Sequence, residues 1–389
     1  MPTSLRLGLF YAAIFFGGGV VGPYMSPWFK AHGLSGGQIG VILAAPGLAR
    51  VVTGPALAVW ADGFKLRRTP LTILGLAIAV LYVAFLLVHG FWLWALLWFA
   101  SQSLFASLSP LADVITLRRG PIEGFTYGRA RSLGSLSFIV GNVGMGLLLT
   151  VAQPDALLVW MIAAAVAVAL CGRFALPPEP VHDGAERLDR RSRWRGLGGL
   201  VRDPVFMLAV CSVGLIQASH AFYYGFSTLS WRAQGIPDSV VGLLWGVGVV
   251  AEVVFLLFME PLRRALGPEK LVIAGGLGAV TRWTCLALSP PLWLLFPLQV
   301  LHALTFTATF MGSLQLMERL SPRESATAAQ TLNSILSGGI LMGAASMASG
   351  ALFDGVGAYG YFAMTALSGI GLLGAALLPA FEARRVRLS

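Results

Sequence analysis

Hydrophobic and polar positions along this chain segregate into long blocks. Apolar runs of about 20 residues, enough to cross about 30 Å of hydrocarbon, recur from end to end with short polar breaks between them. The pattern predicts twelve membrane-spanning helices, at 6–29, 38–61, 70–88, 92–116, 129–151, 156–176, 205–230, 240–262, 271–289, 292–317, 326–352 and 358–380. An even number puts both termini on one side. Breaks as short as His89 to Phe91 and Gln153 to Asp155 require neighbouring spans to be antiparallel hairpins, with little chain left for an extramembrane domain. The first run carries only Arg6 and is too long for the apolar core of a signal peptide, so it is expected to remain as the first helix.

Two of these blocks are versions of one segment. HGLSGGQIGVILAAPGLARVV, from His32, aligns without gaps on QGIPDSVVGLLWGVGVVAEVV, from Gln234, an offset of 202 residues. The alignment superposes Gly33 on Gly235, Gly40 on Gly242, Ala49 on Ala251 and Arg50 on Glu252, so each copy carries one charge at the same point with opposite sign. At the same offset Lys30 matches Arg232, and Asp113 falls opposite Gln315. The longest polar stretch, Pro177 to Asp203, follows the sixth span and divides the chain in two. The expected organisation is an N-terminal six-helix bundle at 1–176, a cytoplasmic linker at 177–203 and a C-terminal six-helix bundle at 204–389, two parallel repeats around a central site. A duplicated membrane segment with an ionisable residue in each copy points to a transporter.

Composition agrees. The chain of 389 residues is 57% hydrophobic and 11% charged, with mean hydropathy +0.78, which excludes an ordinary soluble domain. Of the 27 Lys and Arg, Lys30 and Arg232 fall outside and Arg50 and Arg282 within spans; the rest lie on the side of the termini. That asymmetry predicts cytoplasmic N- and C-termini. The net charge of +10 is then mostly juxtamembrane arginine facing anionic lipid, and nucleic-acid binding is not implied. Cys171, Cys211 and Cys285 lie in expected helices without CxxC spacing and read as packing residues, so no disulfide and no metal site is expected. Gly17, Gly19 and Gly22 satisfy GxGxxG but sit inside a membrane helix, without the strand and turn that a dinucleotide site needs. With no HExxH or Walker sequence, the expectation is a protein that is not an enzyme and needs no cofactor. The 47 glycines, with spacings such as Gly242 to Gly246 and Gly339 to Gly343, suit close helix contacts.

A charge at the centre of a membrane helix costs at least about 2.5–3.5 kcal/mol, so each needs a partner or a wet cavity. The deep charges are Arg50 in span 2, Glu252 in span 8 and Arg282 in span 9, with Asp113 nearer the cytoplasmic end of span 4. His220 and His302 add imidazoles in spans 7 and 10, each either a hydrogen-bonded interior histidine or a functional one. Glu252 has two readings: a carboxylate that meets substrate or proton, or half of a structural ion pair with Arg282 or Arg50. After span 2, ADGFKLRRTP supplies Asp62, Lys65, Arg67 and Arg68, which read either as a conformational latch against neighbouring helix ends or as plain retention of positive charge inside.

Gly54, Ala58, Asp62, Arg67 and Arg68 resemble the signature between helices 2 and 3 of the major facilitator superfamily, with Ala58 where glycine is usual and Gly63 where a basic residue follows the acid. Twelve spans in two halves agree with that fold. Further matches resemble the lactose permease and phenylpropionate permease families along nearly the whole chain. YGRARSLG, Tyr127 to Gly134, looks like the start of helix 5 in the lactose permease family, where the second arginine pairs with a carboxylate eighteen residues earlier to hold substrate; that pair is Arg131 and Asp113 here. AEVV places Glu252 at the family's substrate- and coupling-linked glutamate, GAVTRW places Arg282 at its helix 9 arginine, and LQVLHALT places His302 at its helix 10 histidine. The chain also departs from the pattern. Thr305 replaces a glutamate central to proton handling, and two acid–lysine pairs are replaced by His220 with Gln299 and Gln217 with Gly338. Losing both members of each pair avoids stranding a buried charge. Phe138 stands for the tryptophan under the sugar ring and Phe255 for an asparagine that bonds sugar hydroxyls, which suits a flatter, less hydroxylated solute.

The resemblance implies a secondary transporter working by alternating access, with a cavity lined mainly by spans 1, 4, 7 and 10. The expected activity is symport of a proton with a small organic solute such as an aromatic, phenylpropionate-like carboxylate. Substrate would meet Asp113, Arg131, Phe138, Glu252 and His302, and Glu252, Arg282 and His302 would handle the proton. Gln217, Gln299, His220 and Arg50 are the other intramembrane polar groups. Symport of a sugar or nucleoside is the alternative, followed by uniport or drug–proton antiport. The expected surroundings are a bacterial-type inner membrane, with the protein a monomer.

Overall fold

The computed structural model describes residues 1–181, 196–322 and 325–388, without the side chains of 263 and 384–388. Residues 182–195, in the expected linker, lie outside the described residues. Helices in chain order are α1 (Thr3–Ala31), α2 (Gly36–Ala61), α3 (Arg68–Leu87), α4 (Phe91–Glu123), α5 (Tyr127–Leu148) and α6 (Ala156–Leu170), the last extended by a π-helical turn, Cys171–Ala175. There follow α7 (Leu197–Arg202), α8 (Pro204–Ala218), α9 (Ala221–Ala233), α10 (Asp238–Phe258) and α11 (Glu260–Ala287). The chain closes with α12 (Leu292–Val300), α13 (Thr309–Leu320), α14 (Ala326–Asn333), α15 (Met342–Val356) and α16 (Tyr361–Leu388). π-helical segments Ala303–Ala308 and Ser334–Leu341 join α12 to α13 and α14 to α15. Extended pairing among the described residues is limited to an isolated bridge between Leu66 and Pro180.

This is an all-α membrane protein. Nine stretches among the described residues are long and apolar enough to cross a bilayer. The last, Ala326–Ala383, is 58 residues long, enough to cross twice. Two helices fall outside that set for reasons of composition: α5 is rich in Gly and Ser, and the first half of α11 is charged. The twelve expected spans accommodate all of these helices. α11 is itself two helices joined at Gly267, where φ is 75°, just ahead of Pro268.

Local chemistry sets the helix ends. Ser35 opens α2 with a capping box: its Oγ accepts from Gln38 N–H at 3.2 Å while Gln38 Oε1 accepts from Ser35 N–H at 2.9 Å. Asp203 opens α8 by accepting from the amides of Val205 and Phe206, with Pro204 at the first helical position. The duplication seen in the sequence is a duplication of backbone structure. Leu34 N–H donates to Phe29 O at 3.1 Å where α1 ends, and Ile236 N–H donates to Trp231 O at 3.0 Å where α9 ends, 202 residues on. Gly33 and Gly235 hold these reversals at φ 87° and 79°, a conformation that costs other residues about 1–2 kcal/mol.

The chain forms two compact units, one of Met1–Ala185 with Trp231–Gly246 and the other of Glu186–Ser230 with Val247–Ser389. In the first, α1 packs on α5, α3 on α6 and α2 on α4. In the second, α8 packs on Ser334–Leu341 and α11 on α16. The 202-residue offset carries α3 onto α11 and α6 onto α16, so the same pairing is built twice. α1 and α5 approach at glycine. A Cβ on Gly141 would sit 2.6 Å from Phe16 O, and one on Gly19 would collide with Phe138 O, so neither position has room for a side chain. This contact fixes where α5 presents its first two turns.

Candidate functional site

In the first unit, α4 and α5 bring Asp113 and Arg131 together, with Arg131 Nη1 3.3 Å from Asp113 Oδ1. The same carboxylate oxygen accepts from the hydroxyl of Tyr11, on α1, at 2.6 Å and from that of Tyr127 at 3.1 Å. Arg131 Nη1 also donates to the Tyr127 hydroxyl at 2.5 Å. Three rings enclose the guanidinium: its carbon is 5.1 Å from the Phe15 centroid, 5.6 Å from that of Tyr127 and 5.7 Å from that of Tyr11. Nε and Nη2 make no hydrogen bond among the described residues, so one edge of the fork is open. Both side chains are part-exposed, Arg131 at 35% and Asp113 at 27%, and can reach a ligand. Phe138 lies seven residues along α5 from Arg131, about two turns on and so on the same face. What the cluster can do chemically is hold an anion against an aromatic wall, with Asp113 and the Tyr127 hydroxyl holding the arginine and the Tyr11 hydroxyl holding Asp113.

In the second unit, α10, α11 and the α12–α13 segment converge on His302. Arg282 Nη1 donates to His302 Nδ1 at 2.8 Å, and His302 Nε2 is 3.0 Å from Glu252 Oε1. A nitrogen that accepts from guanidinium carries no proton, so His302 is the neutral Nε2–H form and donates to the carboxylate. Glu252 therefore pairs with His302, and Arg282 reaches it only through the ring; the direct Glu252–Arg282 pair considered from sequence does not form. Arg282 is fully buried, with Nη2 donating to Gln299 Oε1 at 2.6 Å and the guanidinium 4.4 Å and 4.9 Å from the Tyr223 and Trp283 ring centres.

His220, Gln217 and Gln299 each take a partner other than the one that the permease resemblance pairs them with. His220 Nδ1 donates to Gln217 O at 3.0 Å, and its Nε2 is hydrogen-bonded to the Thr305 hydroxyl, also at 3.0 Å. Gln217 Nε2 donates to Phe306 O at 3.1 Å, and the Tyr223 hydroxyl to Gln299 Oε1 at 2.9 Å. Two breaks in helical geometry make this possible. His220 sits in the turn between α8 and α9, and Thr305 and Phe306 lie in the π-helical segment, where a carbonyl is freed from the regular ladder. Thr305 is thus a structural partner of His220.

Arg50 is exposed in mid-α2 and makes no hydrogen bond or ion pair among the described residues. The loop after α2 is tied down at Lys65 and Arg67. Arg67 N–H donates to Glu179 O at 2.8 Å and its Nη2 to Val181 O at 3.0 Å, while Val181 N–H donates to Lys65 O. Glu179, 5% exposed, accepts in turn from Arg119 Nε at 2.5 Å. Asp62 caps α2 with its backbone, and Arg68 begins α3; the side chains of Asp62 and Lys65 make no hydrogen bond or ion pair among the described residues.

Sequence reasoning missed Tyr11, Phe15, Tyr127 and Tyr223 as parts of these clusters. Tyr127 stood inside the YGRARSLG motif, and Tyr11 is a hydroxyl in an otherwise apolar stretch, which is a usable signal. Phe15 and Tyr223 carry none, because an aromatic residue in a membrane helix is ordinary.

Two repeated helical units with a buried charged network in one and a caged arginine in the other define a membrane transporter of the major facilitator type. The model of the MFS_1-like family matches residues 4–364, and the chain belongs to that family. It is 31% identical over 320 residues to the Escherichia coli (strain K12) protein named "Probable 3-phenylpropionic acid transporter", covering 81% of this chain and 82% of that one. It is 28% identical over 340 residues to the maltose permease of Geobacillus stearothermophilus, covering 85% and 83%. Among solved structures, the nucleoside transporter NupG superposes with a TM-score of 0.83 at 16% identity over 98% of this chain and 99% of that one. A bacterial homologue of the human lysosomal transporter Spinster superposes with a TM-score of 0.69 at 17% identity over 97% and 95%.

Proposed function

We propose that this transporter carries a small aromatic carboxylate together with a proton, by alternating access. The observation that carries the reading is the Arg131 site: a guanidinium held by one oxygen of Asp113 and the Tyr127 hydroxyl, ringed by Tyr11, Phe15 and Tyr127, with one edge open. An arginine fork matches a carboxylate, and the rings and Phe138 match an aryl group. The related 3-phenylpropionic acid transporter supports the same class. Arg282 holds His302 neutral, so Glu252 is the group that takes and gives up the proton, with His302 as its donor-bearing neighbour. Lys and Arg asymmetry favours cytoplasmic termini in a bacterial inner membrane, and each chain works as a monomer.

Symport of a sugar is the second reading, favoured by the maltose permease relative. Purified protein titrated with 3-phenylpropionate, maltose and a nucleoside decides between them by binding-induced thermal shift. The reading expects a shift with the aryl carboxylate that Arg131→Gln removes; a shift with maltose or the nucleoside alone overturns it.

A further inference from the structure

α1 ends in a cluster that the proposed transport chemistry does not use. The His32 Nδ1 is 2.8 Å from Trp28 O, a carbonyl that can only accept, so Nδ1 carries a proton. His32 Nε2 is 3.2 Å from Asp155 Oδ1. In a neutral ring with its proton on Nδ1, Nε2 presents a lone pair, and a lone pair facing a carboxylate at that distance is repelled. The contact is attractive only if Nε2 is protonated as well. Trp28 Nε1 donates to the same Asp155 oxygen at 2.9 Å, which suits an ionised carboxylate. The His32 ring lies over Trp28, centroids 4.0 Å apart and planes 29° apart, with the Trp94 ring edge-on at 5.8 Å. Carbonyl, carboxylate and the Trp28 indole face all favour a cation.

From this geometry we infer that His32 is a proton-binding site at the end of α1, separate from Glu252, with Asp155 as its counter-charge. The contrast with His302 and His220 comes from partners: His302 Nδ1 accepts from Arg282 and so carries no proton, and His220 Nε2 meets the Thr305 hydroxyl instead of a carboxylate. The remaining titratable groups around His32 are Lys30, two residues back on α1, and His89, on the loop before α4, whose ring packs on Trp94 at 6.1 Å. Asp155 occupies the N-cap position of α6 yet makes no side-chain cap there, its carboxylate being turned to α1 instead. When His32 loses its second proton, the pair becomes repulsive and Asp155 is freed to cap α6. The proton thus fastens the end of α1 to the start of α6.

The test is ring ¹⁵N NMR of the full-length protein labelled on its five histidines in lipid nanodiscs, with His32 assigned by the signal that His32→Gln deletes. At about pH 7, the expected result is two protonated nitrogens on His32. In Asp155→Asn, which keeps an acceptor for Trp28, proton affinity falls about tenfold. A wild-type His32 with a bare Nε2 at that pH overturns the inference, as does an unchanged titration in Asp155→Asn. Tryptophan emission is a second readout needing no Asp155 variant. An imidazolium stacked on Trp28 quenches it, so emission rises as His32 deprotonates in wild type and not in His32→Gln; equal curves overturn the inference.

Discussion

His302 Nε2 stands 3.0 Å from Glu252 Oε1, and this contact joins the titratable carboxylate of α10 to the buried arginine of α11. In the proposed proton cycle the ring works as a spacer. It lets Glu252 change its proton without exposing the Arg282 charge to an unpaired partner, because Arg282 keeps its bonds to His302 and Gln299 in either state.

Glu252→Gln retains an acceptor for His302 and removes the exchangeable proton. Counterflow of unlabelled for labelled solute is therefore expected to persist, while accumulation driven by a proton gradient falls on the order of tenfold or more. Parallel assays in proteoliposomes separate the two; loss of both activities together would assign Glu252 a binding role instead.

Arg131→Gln removes the charge that the aromatic cage and Asp113 position. Binding of an aryl carboxylate is expected to weaken by about 2 kcal/mol, a roughly 30-fold rise in Kd. Arg131→Lys is not expected to rescue it, because a point charge lacks the planar fork. Asp113→Asn leaves acceptors for both tyrosines and should cost less than Arg131→Gln, measured by calorimetry on the same solute.

Thr305→Val keeps shape and deletes the hydroxyl that is hydrogen-bonded to His220 Nε2. The buried Nε2 of His220 then lacks a partner, at a cost of about 1–3 kcal/mol, so thermal unfolding in detergent moves to lower temperature. Thr305→Ser restores the bond and most of the stability.

Gly141→Leu forces a side chain into the Phe16 carbonyl on α1. Overpacking of this kind costs about 1–3 kcal/mol. The variant is expected to lower the Tm and to weaken solute binding, since α1 carries Tyr11 and Phe15 of the Arg131 cage.

Much of this was legible in the chain. Glu252, Arg282 and His302 were each visible as costly groups in apolar runs, and Gly33 with Gly235 marked the repeat that the two reversals build. The order Glu252–His302–Arg282 was not legible, because it depends on how α10, α11 and the π-helical segment after α12 pack, and helical period does not announce a π turn. The bonds His220–Thr305 and Gln217–Phe306 O escaped for the same reason: one partner is a backbone carbonyl exposed by a break. Arg50 was the conspicuous charge of the repeat, yet it is the deep one without a partner among the described residues.

The central claim is tested most directly by uptake of labelled 3-phenylpropionate into proteoliposomes under an inward proton gradient, with and without a protonophore. Accumulation above the equilibrium level that the protonophore abolishes, and that Arg131→Gln and Glu252→Gln both lose, is the predicted result. Uptake that reaches the same level with the gradient collapsed, or a protein that neither binds nor moves the aryl carboxylate, would contradict it.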